Sequence, residues 1–376
     1  MLIAKDEFVG LGDVAHFVSG GESPSLVSHQ DAVARFFADK ALGEVSRARM
    51  EATYDACKEK AARLFAVSPD EISFLAHSSD GINMVAHGLN WEPGDNVVVA
   101  DVEFPSDILP WLRLRDQGVE VRVVRHEQWQ IGLDALAEQI DERTRLVAMS
   151  QVSYFTGQRH DMKALAEAVR AKNEKTLLLV DATHAAGVVP VEAYHADVVV
   201  SSCYKWLLAT HGVGIVYLNR ERMAFLQPPF LGWHSCERTP DWEQPTMYRL
   251  KEDGGRFEPG NPTFIALYVL NNALERILAI GIPNIAAHVA DLSQQVWQGL
   301  ADCGLEMMSP ADPQQRAGNV CFMSDEIPRI VKAFEEENVL VWGTYGGVNR
   351  VRVSVHLYNT QGDVDRLLGA LRKVFS

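Results

Sequence analysis

Between about residues 70 and 220, short apolar runs alternate with segments whose apolar positions recur at helical spacing. The runs are Asn96 to Ala100, Val119 to Val124, Arg145 to Met149, Thr176 to Val180, Asp197 to Ser201 and Gly214 to Leu218; the helical stretches between them include Leu133 to Ile140 and Met162 to Ala171. Runs of this kind, separated by helices, predict a mainly parallel sheet covered by helices. Upstream, residues 31–65 carry few breakers and read as helix, and the turn-rich Gly20-Gly21-Glu22-Ser23-Pro24-Ser25 marks residues 1–30 as an arm. Downstream, 226–262 is a Pro, Gly and Trp-rich stretch that reads as loops. Helices are expected over Ala266 to Ile280 and Ile282 to Ala301, strands over Asn319 to Met323 and Arg350 to Leu357, and a closing helix from Gln361 capped by Thr360. The expected architecture is α/β: an arm (1–30), a large domain (31–262) and a smaller α+β C-terminal domain (263–376).

A chain of 376 residues can bury a large core, and no apolar run reaches the length of a membrane span. The N-terminus, Met1-Leu2-Ile3-Ala4-Lys5-Asp6-Glu7, lacks the basic and apolar regions of a secretory signal, and the expectation is a cytoplasmic protein. The 5 cysteines, at 57, 203, 236, 303 and 321, form no CxxC pair and no metal-ligand spacing, so no metal site is expected. A net charge of −15 argues against nucleic acid and anionic membrane as partners.

The chemistry concentrates between Asp181 and Lys205. The run Thr176 to Val180 stops at Asp181, followed by Ala182-Thr183-His184; the next run continues through Ser201-Ser202-Cys203-Tyr204 into Lys205. In an open α/β sheet, ligands bind at the carboxyl ends of parallel strands. If both runs share a sheet, a carboxylate and an amine face one crevice. Pyridoxal phosphate requires that pair: a lysine amine for its aldehyde and an acid for its ring nitrogen. Taken singly, each residue also fits an ordinary cap or a solvated surface position. The turn His77-Ser78-Ser79-Asp80-Gly81 joins a strand end to a helix start, where free amides and two hydroxyls suit a phosphate. It fits a plain Ser N-cap as well, and Asp80 has to point away. Phe104, after another strand end, suits stacking on a flat ring or filling a core.

These motifs, in this order, resemble the class V aminotransferase family of fold-type I pyridoxal-phosphate enzymes, which includes cysteine desulfurases, kynureninases and isopenicillin-epimerase-like proteins. The resemblance covers about residues 45–375. It implies the fold-type I architecture, with a mainly parallel sheet of the seven-stranded type. It implies that Ser78, Ser79, Ser202 and Tyr204 reach the phosphate, that Phe104 stacks on the ring, and that Ser153, in Gln151 to Gly157, lies beside its phenolic oxygen. Asp181 and His184 resemble the pyridinium Asp and the residue three further on, and Lys205 the Schiff-base lysine; Lys205, Asp181 and His184 are the implied catalytic residues. The segment Phe257 to Thr263 resembles one that a neighbouring subunit offers to the phosphate, through Asn261, which implies a homodimer with shared active sites. In Arg350-Val351-Arg352-Val353-Ser354, Arg352 resembles the anchor of a substrate α-carboxylate; period-two alternation puts Arg350 on the same face, so spacing does not choose between them. Trp233 suits a pocket wall or a packing role.

The implied reaction uses a free α-amino acid. Desulfurases carry a nucleophilic cysteine just before the anchor strand, and Val341 to Asn349 has none. Sulfur transfer to a cysteine is therefore disfavoured. An aminotransferase leads; a kynureninase-like or C–S β-lyase and an epimerase-like enzyme stay open, with a non-catalytic scaffold last.

Overall fold

The computed structural model describes residues 1–222, 225–343 and 348–375. The central sheet has 7 strands, ordered Ile72–Leu75, Gly214–Leu218, Val198–Ser202, Leu177–Asp181, Thr144–Ser150, Asn96–Ala100 and Glu120–Val124. The last five of these pair in parallel, as the alternation predicts. Gly214–Leu218 departs from it, running antiparallel to both Val198–Ser202 and Ile72–Leu75. The cause is its short connection from Ser202, which lacks the covering helix a parallel crossover needs. Register brings Ser150 opposite Asp181 and Ser202 opposite Gly214. The carboxyl ends of the parallel strands thus form one crest, and the sequence sets Ser, Asp and Ser along it.

The helical stretch 31–65 is two helices, His29–Lys40 and Glu44–Phe65. Gly43 divides them at φ +62°, a left-handed conformation that costs a glycine little. The helix Phe264–Ile280 lies along both of them. Residues 226–262 are mostly loop, with short strands at Cys236–Arg238 and Arg249–Leu250. The C-terminal strands Glu306–Met307, Asn319–Met323 and Arg350–Ser354 form an antiparallel sheet. The last ends at Ser354, earlier than the apolar pattern suggests, because the backbone turns: Asn359 Oδ1 accepts the His356 amide at 2.8 Å. No single helix among the described residues is long and apolar enough to cross a membrane.

The first thirty residues are stitched to the C-terminal part. Ala15–Phe17 pairs in parallel with Val339–Val341, and the Leu2 amide donates to the Leu357 carbonyl at 2.7 Å. Lys5 Nζ bridges the Val14 carbonyl (2.7 Å) and Asp363 Oδ1 (2.6 Å). Asp363 also accepts the Thr360 amide at 2.9 Å, while the Thr360 hydroxyl accepts the Asp363 amide at 3.1 Å, a reciprocal cap on the closing helix Gln361–Phe375. One buried carboxylate therefore holds both a helix end and the arm. Asp363→Ala removes the cap and leaves the Lys5 ammonium without its counter-charge. The expected cost is about 2 kcal/mol, with the first thirty residues becoming the earliest site of cleavage in limited proteolysis. An arm as resistant as in the parent protein would show that this carboxylate is dispensable.

Candidate active site

The site lies on the crest of the sheet. A cavity of about 260 Å³ is lined by Ser78, Ser79, Phe104, Asp181, His184, Ser202, Tyr204 and Lys205 among others. A second, of about 170 Å³, shares Phe104, Tyr204 and Lys205 and continues to Arg350, Arg352, Trp342 and Gly20 to Glu22. The strand ends explain the convergence, because Asp181 and Ser202 end strands of the central sheet, Phe104, His184, Tyr204 and Lys205 lie in the connections that follow, and Ser78 and Ser79 start the helix after Ile72–Leu75.

At one end is the start of the helix Ser78–Gly88. Its N-cap residue, His77, is extended and offers no side-chain cap, so the first-turn amides face the cavity with the positive end of the helix dipole. Ser78 and Ser202 hydroxyls lie 2.8 Å apart, and the Ser79 hydroxyl donates to Ser106 at 2.8 Å. Asp80 turns to the exposed His77, 3.3 Å away. Gly214 has to be glycine here, since a Cβ would stand 2.8 Å from the His77 backbone. This end is a cradle of amides and hydroxyls of the kind that binds phosphate.

Beneath the middle of the cavity three carboxyl groups are buried together. Asp181 accepts the Thr183 amide at 2.7 Å; burial raises its pKa, opposed by Thr183 and Lys205. Asp107 is fully buried, and burial with the charges of Asp181 and Glu103 pushes its pKa well up. Neither Asp107 oxygen has a hydrogen-bond donor, which adds to the cost of charging it. Glu103 is raised to about 7 by burial, and the amide (2.9 Å) and hydroxyl of Ser150 both donate to it. This nest of acids suits a ligand that brings positive charge to Asp181.

Lys205 Nζ stands 5.5 Å from the Phe104 ring centre and 3.4 Å from His184 Nε2. Burial and the Arg352 charge lower its pKa to about 8, against the opposing pull of Asp181 and Asp107. Arg352 and Arg350 both donate to the Tyr154 carbonyl, at 3.0 and 2.9 Å, and Arg350 also to the Phe155 carbonyl at 2.7 Å. The two guanidiniums share one face of the strand, as alternation requires. The charge felt most at Lys205 is that of Arg352.

Three candidate residues line neither cavity. Ser153 Oγ accepts the amides of Phe155 and Thr156, both at 3.1 Å, and so fixes its own turn; Ser150 is the serine that lines the cavity. Asn261 accepts from Arg47 at 2.8 Å, beside Phe36, Lys40 and Pro262. Trp233 is 54% exposed and lines neither cavity. Residues not singled out in the sequence include Asp107, Trp206 and Asn319. Asp107 closes the Phe104 motif and could have been read from it; nothing in the local pattern marks the other two.

The geometry defines a fold-type I site: a strand-end lysine, a buried aspartate, an anion cradle and an arginine pair. The aminotransferase class-V family model matches residues 38–367, and the chain belongs to that family, whose cofactor is pyridoxal 5′-phosphate. Among its relatives, an uncharacterized aminotransferase of Schizosaccharomyces pombe is 26% identical, covering 82% of this chain and 78% of its own. A probable cysteine desulfurase of Methanothermobacter thermautotrophicus is 29% identical, covering 84% and 82%. The fold is also that of the apo cysteine desulfurase from Thermococcus onnurineus (TM-score 0.89, 23% identity, 99% and 97% covered). It matches a C-DES variant with glycine covalently linked to its PLP cofactor as well (TM-score 0.90, 21% identity, 100% and 99% covered). The residues present fit the cofactor: the uncapped helix start suits its phosphate, and the Asp181 carboxyl, which lines the same cavity, suits its protonated ring nitrogen.

A lysine near 8 differs sharply from surface lysines. Acylation of the apoprotein, followed by peptide mass mapping against pH, is expected to give Lys205 a midpoint near pH 8. Arg352→Leu removes a like charge, so the midpoint should rise. A parent midpoint above about 10 would mean a solvated amine.

Proposed function

We propose that the chain is a class V aminotransferase-like enzyme acting on a free α-amino acid. Lys205 carries the cofactor, Asp181 keeps its ring nitrogen protonated, and Arg352 holds the substrate carboxylate. The observation that carries this reading is the place of Lys205, which lines one cavity with Asp181 and the serine cradle and a second with Arg352. Ser78, Ser79, Ser202 and Tyr204 would hold the phosphate, Phe104 the ring face, and His184 the edge of the ring nearest Lys205. Asn261, away from the cavity of its own chain, suits a contribution to a neighbouring subunit in a homodimer.

Pyridoxal phosphate, when bound, supplies an electrophilic carbon and an electron-withdrawing ring that weakens the bonds at the substrate Cα. The protein supplies the rest. Arg352 offers two parallel charge-assisted bonds to a carboxylate and fixes the amino acid in one orientation. Lys205 is partly neutral at physiological pH and can both bond covalently to the cofactor and later take the Cα proton. Phe104 and the Tyr154 ring, edge to face with centroids 5.1 Å apart, keep water from one side.

A β-lyase is the second reading, because relatives are named for chemistry on cysteine. Transfer of sulfur to a protein thiol is disfavoured. Cys57, Cys203 and Cys321 are buried, Cys236 and Cys303 line neither cavity, and the segment 341–349 contains no cysteine, its residues 344–347 lying outside the described residues.

Borohydride reduction of the holoprotein and peptide mapping should place a pyridoxyl group on Lys205; a label on another lysine would overturn the assignment. Arg352→Ala should raise KM for amino acids by about a hundredfold, the worth of a lost charge-assisted fork, while the cofactor's absorption stays nearly unchanged. Loss of cofactor instead, or equal reaction of amines lacking a carboxylate, would move the anchor elsewhere, with Arg350 next in line.

A further inference from the structure

His184 is buried, and its Nδ1 is met by two nitrogens: the Trp206 indole Nε1 at 3.1 Å and the Asn319 amide nitrogen at 3.0 Å. An indole N–H can only donate. Nδ1 must therefore accept and carries no proton. Burial and the charges of Lys205, Arg352 and Arg350 hold the imidazole well below its ordinary pKa, so the ring is neutral and its one proton sits on Nε2. The same donor settles the amide. Asn319 has to present its NH₂ to Nδ1, which leaves its carbonyl to accept the Ser354 hydroxyl at 2.9 Å. Every proton in the chain Trp206, His184, Asn319, Ser354 follows from one group that cannot accept.

The supports are rigid. Trp206 is fully buried, and its carbonyl accepts from His356 Nε2 at 3.0 Å. A Cβ on Gly318 would stand 2.5 Å from the indole ring, so glycine is what lets the ring lie against the strand that carries Asn319.

From this geometry we infer that Trp206 and Asn319 are positioning residues that lock His184 in the Nε2–H form, making it a fixed hydrogen-bond donor toward Lys205 and unable to accept a proton there. Nε2 is 3.4 Å from Lys205 Nζ. A donor at that place suits a neutral lysine or an anionic oxygen on the edge of the cofactor ring, and it does not suit a general base. Its consequence for catalysis rests on the cofactor-binding reading; the tautomer belongs to the chain alone.

The test is nitrogen NMR of the full-length protein labelled with ¹⁵N-histidine, with and without pyridoxal phosphate. The His184 signals are identified by their loss in His184→Gln. The expected result in both forms is an unprotonated Nδ1 and a protonated Nε2, with no titration between about pH 6 and 9, across the range where a free histidine changes charge. In Asn319→Leu and in Asn319→Asp, where Trp206 still donates, Nδ1 should stay unprotonated. In the double variant Trp206→Phe, Asn319→Asp both donors are gone and an acceptor faces the ring, and Nδ1 is expected to move to the protonated range. An Nδ1–H signal in the parent protein, or an Nδ1 unmoved in the double variant, would overturn the inference. The apoprotein measurement separates this from a failure of the cofactor reading, because it contains no cofactor.

Discussion

Asp107, Asp181 and Glu103 sit close together with almost no exposure, and ionising all of them without compensation would cost several kcal/mol for each charge. The chain meets this in two ways. Glu103 takes two bonds from Ser150, and burial favours the neutral form of Asp107. Asp181 has the Thr183 amide on one oxygen and feels the charge of Lys205. A protonated ring nitrogen above it would replace the missing solvation. The stability of the site and its capacity to bind a cationic heterocycle thus come from one constraint, burial of carboxyl groups at the strand ends.

The same constraint organises the cations. Lys205 and Arg352 repel one another, which lowers the lysine and costs the fold something in the absence of ligand. The arginines are held in place by backbone oxygens: the Tyr154 carbonyl receives both guanidiniums. That geometry fixes the forks while leaving the charge uncancelled by those carbonyls. A cavity with acids below and cations to the side is already polarised for an amino acid, whose carboxylate and amine need opposite partners.

Much of this was legible in the sequence, and the reasons differ by residue. Strand runs such as Leu177–Asp181 are buried on both faces, so their apolar pattern gives both their existence and their ends. Asp181 and Lys205 stood out because a charge at the end of such a run is conspicuous. The reversed direction of Gly214–Leu218 was not visible in its own residues, being set by the length of the preceding connection. Ser153 lines neither cavity because its hydroxyl bonds its own turn, a local competition that motif position does not reveal. Trp206 and Asn319 carry their roles through contacts 22 and 135 residues away in sequence, which no local period encodes.

The arm shows the same limit from the other side. Gly20 and Gly21 read as a turn, yet each is required by a close approach. A Cβ on Gly20 would lie 2.7 Å from Ser354 Oγ and 3.0 Å from Arg352 Nε, and one on Gly21 would lie 2.4 Å from the Trp342 ring. With the bridge from Val18 to Ser354, these glycines let the first thirty residues lie flat against the strand that carries the arginines. Glu22 follows directly into the smaller cavity, where its carboxylate is 3.3 Å from His211 and within electrostatic reach of Lys205. A segment that looks like a tail by composition is therefore a wall of the site. Its anchoring at Asp363, on the far helix, is tied through the fold to the shape of the pocket in which the amino acid would lie.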